Sequence, residues 1–94
     1  MIISGGENIY PTEVEDVIFS HSGVTEAAVV GEPDDEWGER VVAYIVGDAS
    51  PNDLDEHMRD SETLADFKRP REYYEIDSLP KNPSGKVQKF KLQE

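Results

Sequence analysis

The chain has 94 residues, of which 36% are hydrophobic, and a formal net charge of −12 at pH 7. This composition supports one small core and not two independent domains. A chain this negative repels nucleic-acid phosphates and anionic lipid headgroups, which argues against a general nucleic-acid or membrane-surface binder.

Cysteine is absent, so the core has neither disulfides nor a thiolate zinc site, and we expect a reducing, cytoplasmic setting. The apolar start at residues 1–3 is too short for a signal peptide. No stretch approaches the roughly 20 apolar residues of a membrane span. We therefore expect a soluble protein.

The charge is unevenly distributed along the chain. Residues 1–66 carry seventeen acidic and two basic residues, whereas residues 67–94 carry seven basic and four acidic ones. Coulomb attraction acts within a Debye length of about 8 Å, so the basic tail is one place for an anionic ligand. Equally, the tail could simply balance the acidic body.

The first predicted elements are two short extended pieces joined by a glycine turn at residues 4–6. Pro11 suits the first position of a helix, because its missing N–H would have no partner there. Apolar residues at helical spacing follow, and Ser22-Gly23 ends this first helix.

Two β-rich runs come next, at residues 24–31 and 41–47, and we expect strands covered on both faces. A turn-rich loop separates them. Proline and capping side chains at residues 50–53 predict a second helix. Leu64, Ala65 and Phe67 either continue this helix or begin a separate turn before Pro70. Residues 71–76 predict a third strand, and the tail from residue 87 predicts a half-ordered turn or helix.

These elements predict an α+β fold, with a small, mainly antiparallel three-stranded sheet, flanking helices and a short N-terminal two-stranded element. The whole chain, residues 1–94, forms one domain. The order of elements shows no clean βαβ repeat, so a doubly wound fold is not expected.

Few residues predict chemistry by themselves. His21 and His57 have no partner at metal spacing, so we interpret both as surface or helix-end residues. The acidic run at residues 34–36 is more typical of a solvated loop than of a cation site. No serine has the context of a nucleophile elbow, so a self-contained hydrolase is not predicted.

Two glycine-bearing loops are more informative. SGGENIYP, residues 4–11, has adjacent glycines where a backbone can approach a ligand, and PKNPSGKVQK, residues 80–89, has Lys86 directly after a glycine. The second loop is not a phosphate-binding P-loop, because position 80 is proline and Val87 follows the lysine. Each loop alone would more often be a plain turn.

In combination, four motifs resemble the C-terminal domain of the adenylate-forming, or AMP-binding, enzymes. This superfamily includes acyl-CoA synthetases, aryl-CoA ligases, peptide-synthetase adenylation domains and luciferases. The similar segments are IISGGENIYPTEVE, VTEAAVVGEPDDEWGERVVAYIV, LADFKRPR and LPKNPSGKVQK, which are collinear and span nearly the whole chain.

The resemblance implies an acid–thiol ligase that works in two steps. A carboxylic acid and ATP form an acyl-adenylate and pyrophosphate, and the thiol of coenzyme A (CoA) then displaces AMP. In the family, ATP and acid bind mainly to a large N-terminal domain, and the C-terminal domain is a mobile lid that presents different faces in the two steps. Mg²⁺ is expected in the full-length enzyme but not on this domain.

The resemblance also predicts what surrounds this chain. The acidic hinge residue of the family is expected just before Met1, so we expect the chain to be the lid of a larger ligase whose N-terminal domain is absent. The lid alone is expected to be inactive. Its partners would be that domain, CoA and the acyl-adenylate, and a fatty or other hydrophobic acid is the expected substrate.

Lys86 matches the family lysine that reaches into the adenylation site. Attack of a carboxylate on the α-phosphate of ATP brings two anions together, and a compact ammonium between their oxygens offsets the repulsion. The resemblance therefore implies that Lys86 is catalytic in the first step only.

Four further residues match CoA contacts of the family. Gly6 corresponds to a glycine that lines the pantetheine tunnel, and Trp37 lies in a loop that borders it. Phe67 and Arg69 match positions that stack on adenine or meet phosphates. Phe67 could equally be a core aromatic, and Trp37 could simply cover the strand pair.

Two alternatives remain open. The first is an adenylation domain that serves a carrier protein, where a phosphopantetheine arm replaces free CoA. The second is a free-standing, non-catalytic interaction module that keeps the fold.

Overall fold

The computed structural model describes residues 1–92. Strands β1 (Ile2–Ser4) and β2 (Glu7–Ile9) form the predicted N-terminal hairpin. Helix α1 (Pro11–Phe19) follows, with its proline in the first turn, as predicted.

Strands β3 (Val24–Asp34) and β4 (Gly38–Gly47) form one long antiparallel hairpin. The predicted loop between them is wrong in extent, because strand pairing continues as far as Asp34 opposite Gly38. Only residues 35–37 turn, and the Asp34 carboxylate accepts the backbone N–H groups of Glu36 and Trp37, each at 2.9 Å. A side chain that caps its own turn lets both strands extend up to it.

Helix α2 (Pro51–Arg59) begins as predicted, with the Ser50 hydroxyl accepting the N–H of Asp53 at 3.2 Å. It ends at Arg59, so residues 64–67 do not continue it. A short 3₁₀ turn (Asp66–Lys68) then leads into strand β5 (Glu72–Glu75).

The sheet is mainly antiparallel, which confirms the α+β class, but its connections differ from the prediction in two ways. Strand β1 pairs with β4 through Ser4 and Gly38, so the N-terminal hairpin joins a single five-stranded sheet in place of standing apart. Strand β5 runs parallel to β4, with Val42 opposite Glu72. Helix α2 is therefore the crossover of one βαβ unit, because parallel neighbours need a long connection.

One face of the sheet packs on both helices around a core of aliphatic side chains, which includes Ile9, Val14, Ile18, Val29, Ile45, Leu54 and Met58. Tyr44 alternates with these core residues and so lies on the opposite face, where its hydroxyl donates to the carbonyl of Leu92 at 2.9 Å. The C-terminal segment therefore crosses the second face.

The predicted tail is partly described. Residues Lys89–Lys91 form a 3₁₀ turn, whereas Gln93 and Glu94 lie outside the described residues. Within residues 1–92, no helix has the length and apolar character needed to cross a membrane.

Candidate functional site

Lys86 lies on a tight turn, which we call the Lys86 turn, at residues 80–88. The base of the turn is closed by a bridge between Lys81 and Val87, and by the Gln88 N–H, which donates to the Pro80 carbonyl at 2.8 Å. Gly85 adopts a φ of +86°, and a Cβ added there would meet nothing within 4 Å. Glycine is therefore needed for the backbone conformation of the turn and not for space inside the domain.

The Lys86 side chain is exposed, and its ammonium makes no ion pair with any carboxylate in residues 1–92. The neighbouring lysines differ: Lys81 pairs with Glu26, and Lys89 pairs with Glu15 at 2.8 Å. The structure thus leaves the charge of Lys86 open to an anion from outside the described chain.

The glycine turn between β1 and β2 contacts the β3–β4 turn. Gly5 has a φ of +58°, and its N–H donates to the Trp37 carbonyl at 2.9 Å. A Cβ on Gly5 would lie 2.8 Å from the Trp37 ring, whereas a Cβ on Gly6, with a φ of +83°, would meet nothing. Gly5 is thus needed for packing inside the domain, and the bare backbone of Gly6 faces open space.

Trp37 is 39% exposed, so part of its ring remains accessible. The Arg71 guanidinium carbon lies 4.8 Å from the ring centroid, which is a cation–π contact. Sequence reasoning did not select Arg71. The signal was present in FKRPR, where two arginines flank one proline, but the contact with Trp37 depends on β5 lying beside β4.

Arg69 is already engaged within the domain. Its guanidinium lies 2.7 Å from an Asp55 oxygen and 3.3 Å from an Asp66 oxygen, and its side chain is 25% exposed. The hydrogen bond to Asp55 is the main cause of a raised pKa for Arg69. Binding a phosphate there would require Arg69 to share or exchange these carboxylates.

Phe67 is 44% exposed, so the alternative that it is a core aromatic is wrong. The ammonium of Lys68 lies 5.7 Å from its ring centroid and also bonds the Glu13 carboxylate at 2.9 Å. An exposed ring beside basic residues is able to stack on a planar ligand.

A cavity of about 420 Å³ lies between the start of α2 and the start of β5. Its lining includes two arginines and three carboxylates, together with an aromatic ring: Arg69, Arg71, Asp55, Asp66, Glu72 and Tyr73. Burial raises the pKa of the Tyr73 phenol above its usual value. The charged walls of the cavity are thus arginines and carboxylates, and its polarity suits a charged group.

The two histidines are close together in space, which the sequence analysis did not predict. Their rings are 5.1 Å apart in an edge-to-face arrangement. His57 Nε2 lies 3.0 Å from the Val17 carbonyl, and His21 Nδ1 accepts the Gly23 N–H at 2.9 Å. These contacts place both at helix ends, as predicted, and residues 1–92 contain no group of three or more side chains that could hold a metal ion.

Comparison with known proteins gives consistent matches. Residues 13–86 match the family model described as the AMP-binding enzyme C-terminal domain. A 2-succinylbenzoate–CoA ligase from Listeria monocytogenes is 47% identical over 94 residues, which is 100% of this chain and 20% of that protein. A fatty acid–acyl-carrier-protein ligase from Streptomyces coeruleorubidus is 47% identical over 99% of this chain and 18% of its own length.

Among solved structures, a fatty acyl CoA synthetase from Mycobacterium tuberculosis superposes with a TM-score of 0.93 at 43% identity. The match covers 99% of this chain and 19% of that one. The chain therefore spans about a fifth of the length of these relatives.

Proposed function

Because the chain belongs to the family of AMP-binding enzyme C-terminal domains, we propose that it is the lid of an ATP-dependent acid–thiol ligase. In this proposal Lys86 acts in adenylation, and Gly6, Trp37, Phe67 and Arg69 border the CoA channel. One observation carries the proposal: Lys86 projects from a tight turn and has no carboxylate partner in residues 1–92.

The proposed role of Lys86 follows from charge. In the first step a carboxylate oxygen attacks the α-phosphorus of ATP, the bond to the β-phosphate breaks, and pyrophosphate leaves with the electron pair. A positioned ammonium stabilises the negative charge that gathers on the phosphate oxygens. Lys86 has no ion pair with a carboxylate in residues 1–92, so it would enter this site without breaking a contact of its own domain.

The second step would use another surface of the lid. The sulfur of CoA attacks the acyl carbon, its proton passes to solvent, and the acyl C–O bond breaks so that AMP leaves with the electron pair. Gly6 suits a channel wall because its Cβ position is open, and Trp37 presents an accessible ring beside it. Arg71 lies over that ring and adds, besides Arg69, a second cation near the proposed CoA channel.

The acid is proposed to be a fatty acid or another hydrophobic carboxylic acid, aromatic acids included. The relatives include a 4-chlorobenzoate–CoA ligase as well as 2-succinylbenzoate–CoA ligases and a fatty acyl CoA synthetase. A fatty acid is therefore one option within a wider class, and the acid pocket would belong to the N-terminal domain.

The acceptor is proposed to be free CoA, with a carrier protein as the second candidate because one relative is a ligase for an acyl-carrier protein. The two acceptors differ in the adenosine 3′-phosphate, which only CoA carries. If the KM for 3′-dephospho-CoA is at least about tenfold higher than the KM for CoA, the acceptor is free CoA. One charged contact is worth about 1.4 kcal/mol or more, which corresponds to that factor. If the enzyme uses CoA and 3′-dephospho-CoA equally well and transfers the acyl group faster to a carrier protein, the acceptor is the carrier.

The N-terminal domain of the same chain is the proposed partner, and the cytoplasm is the proposed compartment. Mg²⁺ is expected to act with ATP, but the described side chains offer no ligand set for it. We therefore assign no step of the lid to the metal.

The experiment compares Lys86→Ala with Lys91→Ala in the full-length ligase, using pyrophosphate exchange as the measure of adenylation. Lys91 is an exposed lysine of the same segment and so controls for loss of one positive charge. We expect Lys86→Ala to lose about 10²–10³-fold in rate and Lys91→Ala to lose little. Equal losses in the two variants would contradict the proposal.

A further inference from the structure

Asn82 organises the Lys86 turn from inside. Its side-chain oxygen accepts the Ser84 N–H at 3.1 Å, the Ser84 hydroxyl at 2.9 Å and the Lys86 N–H at 2.9 Å. Backbone N–H groups only donate, so the atom that meets two of them is the amide oxygen. One acceptor thus joins three donors of the turn.

The backbone of Asn82 completes this arrangement. Its N–H donates to the Lys86 carbonyl at 2.9 Å, and its carbonyl accepts the Gly85 N–H at 2.9 Å. Lys86 is therefore bound to Asn82 through both its own N–H and its own carbonyl. The Lys86 backbone is fixed while its side chain projects outward.

Little else in the domain supports the tip of the turn. Pro83, Ser84 and Gly85 are all exposed, and a Cβ on Gly85 would meet no atom within 4 Å. Within residues 1–92, the tip is therefore held mainly by the hydrogen bonds of Asn82 and by little packing. In such an exposed turn, an Asn side chain that bonds the following backbone determines the conformation.

The turn is held to the body of the domain at its two ends. Lys81 pairs with Glu26 on β3, and Lys89 pairs with Glu15 on α1. Glu15 also accepts the Val29 N–H at 2.8 Å, so the same carboxylate binds both the tail and the edge of β3. These ion pairs fix the base of the turn, and Asn82 fixes its tip.

We propose that Asn82 is a positioning residue for Lys86 in adenylation. This proposal rests on the proposed function, because it requires Lys86 to act on the reacting groups. An ammonium stabilises developing charge most strongly at hydrogen-bond distance, and a displacement of about 1 Å is enough to cost about 100-fold in rate. Asn82 lowers that cost by restricting the turn before the lid docks.

The test uses three variants in the full-length ligase. Asn82→Leu keeps the approximate size and removes the acceptor, whereas Asn82→Asp keeps an acceptor oxygen. Ser84→Ala is the matched control, because it removes the hydroxyl but leaves both backbone N–H groups bonded to Asn82. Each variant is assayed for pyrophosphate exchange and for thioester formation from supplied acyl-adenylate.

We expect Asn82→Leu to slow adenylation by about 10- to 100-fold and to leave thioester formation within about threefold of the parent. Asn82→Asp and Ser84→Ala should stay within about threefold of the parent in both steps, because the two backbone hydrogen bonds remain. This pattern would show positioning, since a loss of folding would lower both steps together.

Three results would overturn the proposal: near-normal adenylation by Asn82→Leu, no rescue by Asn82→Asp, or equal loss of both steps. Lys86→Ala in the same assays separates this failure from failure of the proposed function. If Lys86→Ala abolishes adenylation while Asn82→Leu does not, only the role of Asn82 is wrong. If Lys86→Ala adenylates normally, the proposed function is wrong.

Discussion

Two basic regions of the domain differ in what their charges contact. On the Lys86 turn, the ammonium of Lys86 has no carboxylate partner in residues 1–92. In the arginine region, which we define as residues 67–71 with Trp37, Arg69 is bound by two carboxylates and Arg71 lies over the Trp37 ring.

This difference is informative about how each region could act. A lysine without an ion pair, on a hydrogen-bonded turn, is suited to enter a site on another domain and to leave it again. The arginine region is already assembled by its own contacts, so a ligand there would meet a preformed surface and compete with the bound carboxylates. We therefore expect changes in the two regions to affect different steps of the proposed reaction.

The largest expected effect on stability is at the glycine turn beside Trp37. Gly5→Ala forces an alanine into the left-handed conformation of Gly5, which costs about 1–2 kcal/mol. The added Cβ would also lie 2.8 Å from the Trp37 ring. We expect the free energy of unfolding of this chain to fall by about 2–3 kcal/mol, measured by urea denaturation.

Gly6→Ala is the matched control for that change. Gly6 also has a positive φ, but its added Cβ meets nothing, so only the conformational cost of about 1–2 kcal/mol applies. In the full-length ligase, Gly6→Ala should raise the KM for CoA, because the methyl group narrows the proposed channel. If Gly6→Ala destabilises the chain as much as Gly5→Ala, the Trp37 contact contributes nothing measurable.

An intermediate effect is expected when Arg69 is released from its partner. Asp55→Asn removes the carboxylate that lies 2.7 Å from Arg69. Arg69 would then bind a phosphate of CoA without first breaking a strong ion pair. We expect the KM for CoA to fall about threefold, at a cost to stability of about 0.2–1 kcal/mol. Asp66→Asn should have a smaller effect on KM, because Asp66 is 80% exposed and more distant. An unchanged KM in Asp55→Asn would argue against a phosphate contact by Arg69.

The smallest expected effect is the coupling between Trp37 and Arg71. A double-mutant cycle with Trp37→Leu and Arg71→Met, measured by urea denaturation, should give a coupling free energy of about 0.5–1 kcal/mol. A value indistinguishable from zero would mean that the ring and the guanidinium are adjacent without stabilising each other.

Local signals predicted most of the elements. Pro11 and Ser50 stand where the two helices begin, and the glycines at positions 5 and 6 form the first turn. These features depend on a residue's own backbone preferences or on neighbours within four positions, which a sequence contains directly.

Features that depend on distant segments were not predicted. The parallel pairing of β4 with β5 and the contact of Trp37 with Arg71 join positions far apart in the chain. The hydrogen bonds of Asn82 are local, but the sequence alone does not distinguish a side chain that bonds the neighbouring backbone from one that bonds solvent. The site residues came from the motif resemblance, and the structure adds how each is held.

Lys86 is proposed to serve the first step of the reaction and not the second. The most direct measurement is thioester formation by full-length Lys86→Ala ligase that receives purified acyl-adenylate and CoA. We expect a rate within about threefold of the parent enzyme, because in the proposed mechanism the ammonium stabilises charge only in adenylate formation. A loss as large as that in pyrophosphate exchange would contradict it.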